Sequence, residues 1–166
     1  LINKMEQLEQ TNLQLEKDIA ARKVAELAFV ESETRFRSLV EVAPEAIFVQ
    51  SAGKFIFLNP AALRLFGASK DEELLNTELM ERIAPEWRKT VQERIHFQRE
   101  TGKAAPLMEQ DYMRLDGSRV PVETTAVPVR FQGHDAHLVF VRDITERRHA
   151  EDEKAKLEAQ LRQAQK

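Results

Sequence analysis

The sequence predicts an α+β domain that is entered by one long helix and left by another. All five glycines lie between Ser51 and His137, and each stands where one periodic run of residues stops and another begins. Residues 1–34 contain neither glycine nor proline, and the same holds for the residues after Gly133. Short apolar runs and helical runs alternate within the glycine-bearing segment. We therefore expect the order strand, strand, three helices, strand, strand, strand between two flanking helices.

The composition restricts the classes of protein to consider. With 166 residues, 42% of them hydrophobic, the chain can bury one core of about 100 residues. The formal charge is 25 − 28 = −3 with both signs interspersed, so we expect no nucleic-acid partner. The chain has no cysteine, which excludes disulfides, cysteine-ligated metals and thiol chemistry. It has no apolar run of the ~20 residues that a membrane span needs, so we expect no direct membrane insertion and a cytoplasmic location, although a longer parent could be membrane-anchored.

The first 33 residues predict a coiled-coil helix. Residues at alternating steps of four and three form one narrow seam: Leu1, Met5, Leu8, Asn12, Leu15 and Ile19. An asparagine in such a seam costs stability but favours a paired, in-register dimer. We therefore expect a parallel homodimer held by the flanking helices, with a single amphipathic helix lying on its own domain as the alternative. The seam loses its phase near Arg22, which predicts a stutter there.

A hairpin and short helices open the predicted domain. The stretch AIFVQSAGKFIFLN has two apolar runs around a Ser-Ala-Gly-Lys turn. NPAALRLFG follows, with Asn59 as N-cap, Pro60 at the first helical position and Gly67 after the last turn. SKDEELLN predicts a further short helix that Ser69 caps.

The longest helix of the domain and three strands complete it. APEWRKTVQERIHFQRETG starts the helix at Pro85 and ends it at Gly102, with Trp87, Val91 and Ile95 spaced to share one face. The strand candidates are PLMEQDYMRL, RVPVETTAVPVRF and AHLVFVRDI, joined by DGS and QGHD turns.

Four stretches together carry a family resemblance: RFRSLVEVAPEAIFV, FLNPAALRLFG, RLDGSRVPVE and VRDITERR. With the element order, they make the segment from Thr34 to Thr145 resemble the PAS family of sensory modules. The resemblance implies a five-stranded antiparallel sheet with helices on one face, around a small cavity. It divides the chain into an N-terminal coiled-coil helix (1–33), a PAS domain (34–145) and a C-terminal linker helix (146–166).

The exit from the last strand is the second part of the resemblance. PAS modules commonly end in an Asp-Ile/Val-Thr triplet that joins the last strand directly to an output helix, and Asp143, Ile144 and Thr145 match it. Asp143 and Thr145 can both cap the helix that follows, so the triplet is either a signalling junction or simply a good helix start. The stretch AEDEKAKLEAQLRQAQK resembles the linker that leads into the kinase modules of many bacterial sensor histidine kinases. We therefore expect a downstream kinase or other output domain in the parent chain.

Catalytic and metal-binding patterns are weak. His149 lacks the neighbours of a phosphoacceptor and is interpreted as a solvated helix position. His134 and His137 form an H-x-x-H turn without a third ligand, which favours a surface hairpin. Glu109 and Asp111 alternate on a strand and are interpreted as ordinary solvated positions. We expect this chain not to be an enzyme.

The resemblance also bears on cofactors. Covalent flavin adducts and covalently attached chromophores in PAS relatives need a cysteine, which this chain lacks. Haem relatives carry their ligand histidine about ten residues before the Thr-Gly that ends the long helix, where this chain has Val91. His96 lies about 140° further around that helix and is expected at the surface. The cofactor stays unknown, with a noncovalent flavin or a small metabolite left open.

Strand alternation and helix phase predict the residues that face the interior. The cavity candidates are Ile47, Val49, Phe57, Phe66, Val91, Ile95, Tyr112, Thr124 and Val139, with core packing as their alternative role. Buried Tyr112 and Thr124 would each need a hydrogen-bond partner. Two functions fit: a sensory domain of a two-component histidine kinase that responds to a small-molecule or redox cue, or a ligand-free module for dimerisation and signal relay.

Overall fold

The computed structural model describes residues 2–166 and contains four α-helices and five strands in that part of the chain. The helices are α1 (Ile2–Val42), α2 (Pro60–Phe66), α3 (Arg88–Thr101) and α4 (Thr145–Ala164). The strands are β1 (Ala46–Ser51), β2 (Lys54–Leu58), β3 (Ala105–Met113), β4 (Arg119–Phe131) and β5 (His134–Asp143). Three short 3₁₀ helices lie between α2 and α3: Asp71–Glu73, Leu79–Arg82 and Pro85–Trp87.

The chain divides into two compact units, residues 1–40 and 41–166. The first contains α1 up to Val40, and the backbone of α1 stays helical past Arg22 and past the predicted boundary at residue 34. The seam residues Met5, Leu8, Leu15 and Ile19 are all more than half exposed. Leu1, the first predicted seam residue, lies outside the described residues. Whether the exposed seam pairs with a second chain stays a prediction.

The second unit contains a five-stranded antiparallel sheet in the order β2-β1-β5-β4-β3. The short helices and α3 pack on one face, where Phe48, Phe55, Phe66 and Tyr112 form an aromatic cluster with ring centroids 5.0–6.4 Å apart. The predicted fold class is therefore confirmed.

The predicted cap of α2 is confirmed and does more than end a helix. Asn59 is fully buried, and its Oδ1 accepts hydrogen bonds from the backbone N–H groups of Ala62 and Ile47, both at 2.9 Å. Its Nδ2 donates to the carbonyl of Glu45 at 3.0 Å. One side chain thus satisfies a free N–H at the helix start and fixes the entry of β1 beside it.

Two predicted helix starts differ from the structure. SKDEELLN forms only the 3₁₀ turn Asp71–Glu73, and Ser69 does not cap it. Instead the Glu73 carboxylate accepts from the backbone N–H groups of Ser69 and Lys70, both at 3.2 Å. The left-handed residue Asn76, with φ 61°, then stops the chain from continuing as a helix. The long helix begins at Arg88 because Pro85–Trp87 forms a separate 3₁₀ turn, and it ends as predicted at Gly102, with φ 66°.

Candidate functional site

A small cavity lies between the sheet, α3 and the chain around the 3₁₀ helix Leu79–Arg82. Its volume is about 30 Å³. That is room for one or two water molecules. It is about a tenth of the ~300 Å³ at the lower end of ordinary ligand pockets, so a flavin or haem would need this interior to open. The lining residues are Phe48, Gln50, Leu79, Ile83, Val91, Arg94, Ile95, Gln98, Gln110, Tyr112, Thr124, Ala126, His137 and Val139.

Five of the nine cavity candidates lie at this cavity: Val91, Ile95, Tyr112, Thr124 and Val139. Phe66 lies deeper in the core, where its ring stacks on Tyr112 at 5.4 Å between centroids. Whether any of them contacts a ligand stays a prediction.

The other three candidates, Ile47, Val49 and Phe57, do not line the cavity, and this corrects the predicted face of the first hairpin. Phe48 and Gln50 take the inward positions of β1. Phe57 instead pairs with Phe131, with ring centroids 6.2 Å apart. Both faces of β1 are covered, so its apolar residues do not reveal which alternate set points inward.

Polar side chains form an inner cluster of which the sequence analysis predicted only Thr124, with the hydrogen-bond partner it needs. The Nε2 of Gln50 donates to Nδ1 of His137 at 2.9 Å, and the Nε2 of Gln110 donates to the hydroxyl of Thr124 at 2.9 Å. These four residues are each 5% exposed or less. The sequence contained a signal for Gln110 and His137, because strand alternation places Gln110 on the same face as Tyr112 and His137 on the same face as Val139.

Burial favours the neutral forms of His137 and Tyr112, which both line the cavity. Burial lowers the pKa of His137, and the charge of Arg99 lowers it further. Because an amide nitrogen can only donate, the Nδ1 of His137 that accepts the hydrogen bond from Gln50 must be unprotonated. Burial raises the pKa of Tyr112, so its hydroxyl remains neutral at all ordinary pH values.

The histidine patterns of the sequence have separate locations. His137 is buried, which corrects its interpretation as part of a surface hairpin, whereas His134 is exposed. Within residues 2–166 no group of three His, Asp or Glu side chains is placed to hold a metal. His96 is 75% exposed and lies 3.9 Å from Glu100, and His149 is exposed on α4.

The junction between β5 and α4 is direct, as the sequence predicts. Ile144 is 2% exposed, and its backbone N–H donates to the carbonyl of Pro121 in β4 at 3.0 Å. The Asp143 carboxylate accepts from the backbone N–H of Thr145 at 2.9 Å and also from its hydroxyl. Thr145 therefore donates to Asp143 and does not itself cap the helix, which corrects half of the predicted capping.

The first turn of α4 is tied to the outer face of the sheet by what we call the arginine clasp. It consists of Arg147, Arg148, Glu109, Asp111 and Glu123. Arg147 pairs with Glu109 and, at 3.2 Å, with Glu123; Arg148 pairs with Glu109 at 3.3 Å and with Asp111 at 3.6 Å. Glu109 and Glu123 are directly opposite each other in the β3–β4 ladder, so Arg147 pairs with two like charges at once. Glu109 is exposed, as interpreted, but it and Asp111 also pair with the arginines of α4, which the sequence analysis did not predict.

The order of the strands and the helices over one face agree with a known protein family. The family model described as "PAS fold" matches residues 34–144. The chain belongs to the PAS family. The predicted membership of the PAS family is thus confirmed, and the match covers the whole sheet and all the cavity-lining residues.

Curated relatives connect this PAS domain to sensor proteins. It is 28% identical over 144 residues to sporulation kinase A of Bacillus subtilis (strain 168), covering 87% of this chain and 24% of that kinase. It is also 28% identical over 126 residues to the methyl sulfide methyltransferase-associated sensor of Methanosarcina acetivorans, covering 75% of this chain and 12% of that sensor. The chain therefore spans a quarter or less of the curated relatives it matches.

Solved structures agree on the fold. The PAS domain of an HTR-like protein from Haloarcula marismortui matches with a TM-score of 0.58 and 26% identity, covering 74% of this chain and 99% of that one. A PAS domain from a two-component sensor histidine kinase matches with a TM-score of 0.56 and 23% identity, covering 69% and 98%. Among the described residues of this PAS chain, no helix has the length and apolar character of a membrane span.

Proposed function

We propose that this PAS chain is a sensory module of a histidine kinase or related two-component transducer, and that occupancy of its cavity changes how α4 is held. In this proposal α4 continues into a downstream kinase or other output domain, the flanking helices form a homodimer, and the assembly works in the cytoplasm. The chain itself carries out no catalysis. Its similarity to sporulation kinase A supports the proposal.

The observation that carries the proposal is the alternation of residues in β3 and β4. Gln110 and Tyr112 line the cavity, while Glu109 and Asp111 belong to the arginine clasp. In β4, Thr124 lines the cavity and Glu123 belongs to the clasp. Successive side chains of a strand point to opposite faces. A twist or shift of these strands that accommodates a ligand on one face must therefore move the carboxylates that hold α4 on the other.

A ligand-free role in dimerisation and relay is the second candidate. Two observations favour it: the cavity is only about 30 Å³ in volume, and the seam side chains of α1 are exposed. In that role an upstream sensor would displace α1, and the domain would pass the displacement to α4 without binding anything.

Removing the junction cap in the full-length parent tests the sensory proposal. We expect the double variant Asp143→Ala, Thr145→Ala to stay folded and to lose the change in output that the stimulus produces, because α4 loses its fixed start. Asp116→Ala, Ser118→Ala is the matched control, since Asp116 accepts from the N–H and hydroxyl of Ser118 in the same pattern at the β3–β4 turn. A folded junction variant that responds to the stimulus like the control would contradict the proposal.

A further inference from the structure

One arginine and no acidic residue line the cavity. Arg94, on α3, lines the cavity and is partly buried. Among the described residues it has no carboxylate within ion-pair distance, and none of the cavity-lining residues is acidic. Burial lowers the pKa of Arg94, which reflects the cost of keeping an uncompensated charge away from water. Such an arginine is a ready binding group for an anion.

Two buried amides at the same cavity have unused hydrogen-bonding capacity. Gln98 is 2% exposed and Gln110 is 3% exposed, and the Oε1 of each has no protein partner among the described residues. Buried polar groups of this kind are normally satisfied. Both line the cavity that Arg94 lines, so two unsatisfied amide oxygens and one unpaired arginine share one space.

The two amides can present either oxygen or nitrogen to this space. Turning a primary amide by 180° about its last bond exchanges its oxygen and nitrogen. Gln110 keeps its bond to Thr124 after such a turn, because a hydroxyl can donate as well as accept. The turned amides direct N–H groups into the cavity, where they can donate to an anion that Arg94 holds.

We propose that the cavity binds a small monocarboxylate, with the carboxylate on Arg94 and against the amides of Gln98 and Gln110. The guanidinium fork matches the two oxygens of a carboxylate. Because the volume of about 30 Å³ is room for one or two water molecules, formate is at the limit of size and acetate needs the cavity to open. The apolar side chains of Val91, Ile95 and Val139 suit a short alkyl group at the other end. This inference names a ligand class for the proposed sensory role, and its biological meaning rests on that role.

The test is a titration of the isotope-labelled chain with acetate, followed through the side-chain NMR signals of Arg94, Gln98 and Gln110. Acetamide, which has nearly the same shape and no charge, is titrated in parallel, with sodium chloride holding the ionic strength constant. We expect saturable shifts with acetate at a Kd no tighter than on the order of 0.1 mM, as befits so few atoms. Acetamide should bind at least about tenfold more weakly, because it cannot form the charged pair with Arg94.

Variants on α3 separate a site from a general effect of charge. Arg94→Gln should weaken acetate binding about tenfold or more, and Arg94→Lys should weaken it less because it keeps the charge but loses the fork. Lys89→Gln removes the same charge from an exposed position of the same helix and should leave binding unchanged. Should Arg94→Gln fail to fold, Arg94→Lys and the comparison of acetate with acetamide still decide the question.

Three results would overturn the inference. The first is the absence of shifts at 50 mM acetate, which is on the order of the weakest Kd expected for a ligand of four atoms. The others are equal binding of acetate and acetamide, and equal loss of binding in Arg94→Gln and Lys89→Gln. Because the readout is binding to this chain alone, the proposed sensory role is tested separately. Acetate binding without any change in the parent's output would contradict that role and leave the site intact.

Discussion

Gln110 and Glu109 are adjacent in β3 and point to opposite faces of the sheet, Gln110 into the cavity and Glu109 toward Arg147 of α4. In β4, Thr124 and Glu123 repeat the arrangement. A single peptide unit thus separates a cavity-lining group from a group that pairs with α4.

Removing Arg147 from the arginine clasp should cost more stability than removing the carboxylate of Glu109. Arg147→Gln leaves Glu109 and Glu123 facing each other across the ladder, whereas Glu109→Gln removes both an attraction and that repulsion. The side chains of Arg147 and Glu109 are more than 40% exposed, so solvent screens the pairs. We expect a loss of about 1 kcal/mol for Arg147→Gln and under about 0.5 kcal/mol for Glu109→Gln.

The measurement is the free energy of unfolding from urea titrations at low and at high salt. Arg162→Gln, near the far end of α4, is the control and should change stability little. High salt should shrink the difference between the Arg147 and Glu109 variants. Equal losses for the two variants at every salt concentration would contradict the account of the clasp.

The two polar residues of the junction should differ in their contribution to stability. Asp143→Ala removes the acceptor of the Thr145 N–H at the start of α4 and should cost roughly 0.5–2 kcal/mol of helix stability. Thr145→Ala removes only a hydroxyl that donates to that carboxylate, so it should cost clearly less. Circular dichroism and amide exchange of the single variants measure this order. A larger loss in Thr145→Ala would mean that the threonine, contrary to the structure, is the cap.

His137 should make the folded chain sensitive to mild acid. Burial and then the charge of Arg99 lower its pKa in the folded state, while nearby Asp135 opposes them. The unfolded chain takes up a proton near the ordinary pKa of about 6.5, so below that pH it binds more protons than the folded chain. The stability that the neutral histidine contributes is present above pH ~6.5 and is lost as the pH falls toward the lowered pKa.

Urea titrations at pH 8 and pH 5.5 measure this loss. His137→Gln removes the titrating group and should show a smaller fall in stability between the two pH values. His96→Gln is the matched control, since His96 is exposed on α3. An identical pH dependence in His137→Gln and in the unaltered chain would contradict the buried, neutral state of His137.

The coiled-coil prediction concerns Asn12 of α1. If the seam pairs two chains, light scattering should give the mass of a homodimer at tens of micromolar, which is an ordinary concentration for such association. Asn12→Leu should raise the stability of the assembly and loosen its choice of oligomeric state. Gln10→Leu is the control, because Gln10 precedes Asn12 by two residues and does not belong to the seam. It should change neither the stability nor the oligomeric state. A monomer at that concentration would exclude the seam as the dimer contact.

Much of this fold could be predicted from interactions between residues that are close together in the sequence. The Asn59 cap and the glycines that end α2 and α3 each act through neighbours a few residues away, so the sequence alone was enough to place them. The inward phase of β1 was not predictable in the same way, since both its faces are covered. The partners of Glu109 lie nearly forty residues further along the chain, on α4. Only the fold brings these charges together, and the sequence alone made Glu109 look like a solvated position.

Amide hydrogen exchange in the first two turns of α4 tests most directly whether the cavity is coupled to that helix. Gln110→Met changes the cavity while leaving the clasp residues in place, and Gln92→Met makes the same exchange at an exposed position of α3. We expect Gln110→Met to change exchange in these turns by at least about fivefold, a typical coupling between sites, and expect that effect to disappear when Arg147→Gln is added. Equal exchange in Gln110→Met and Gln92→Met would contradict the coupling.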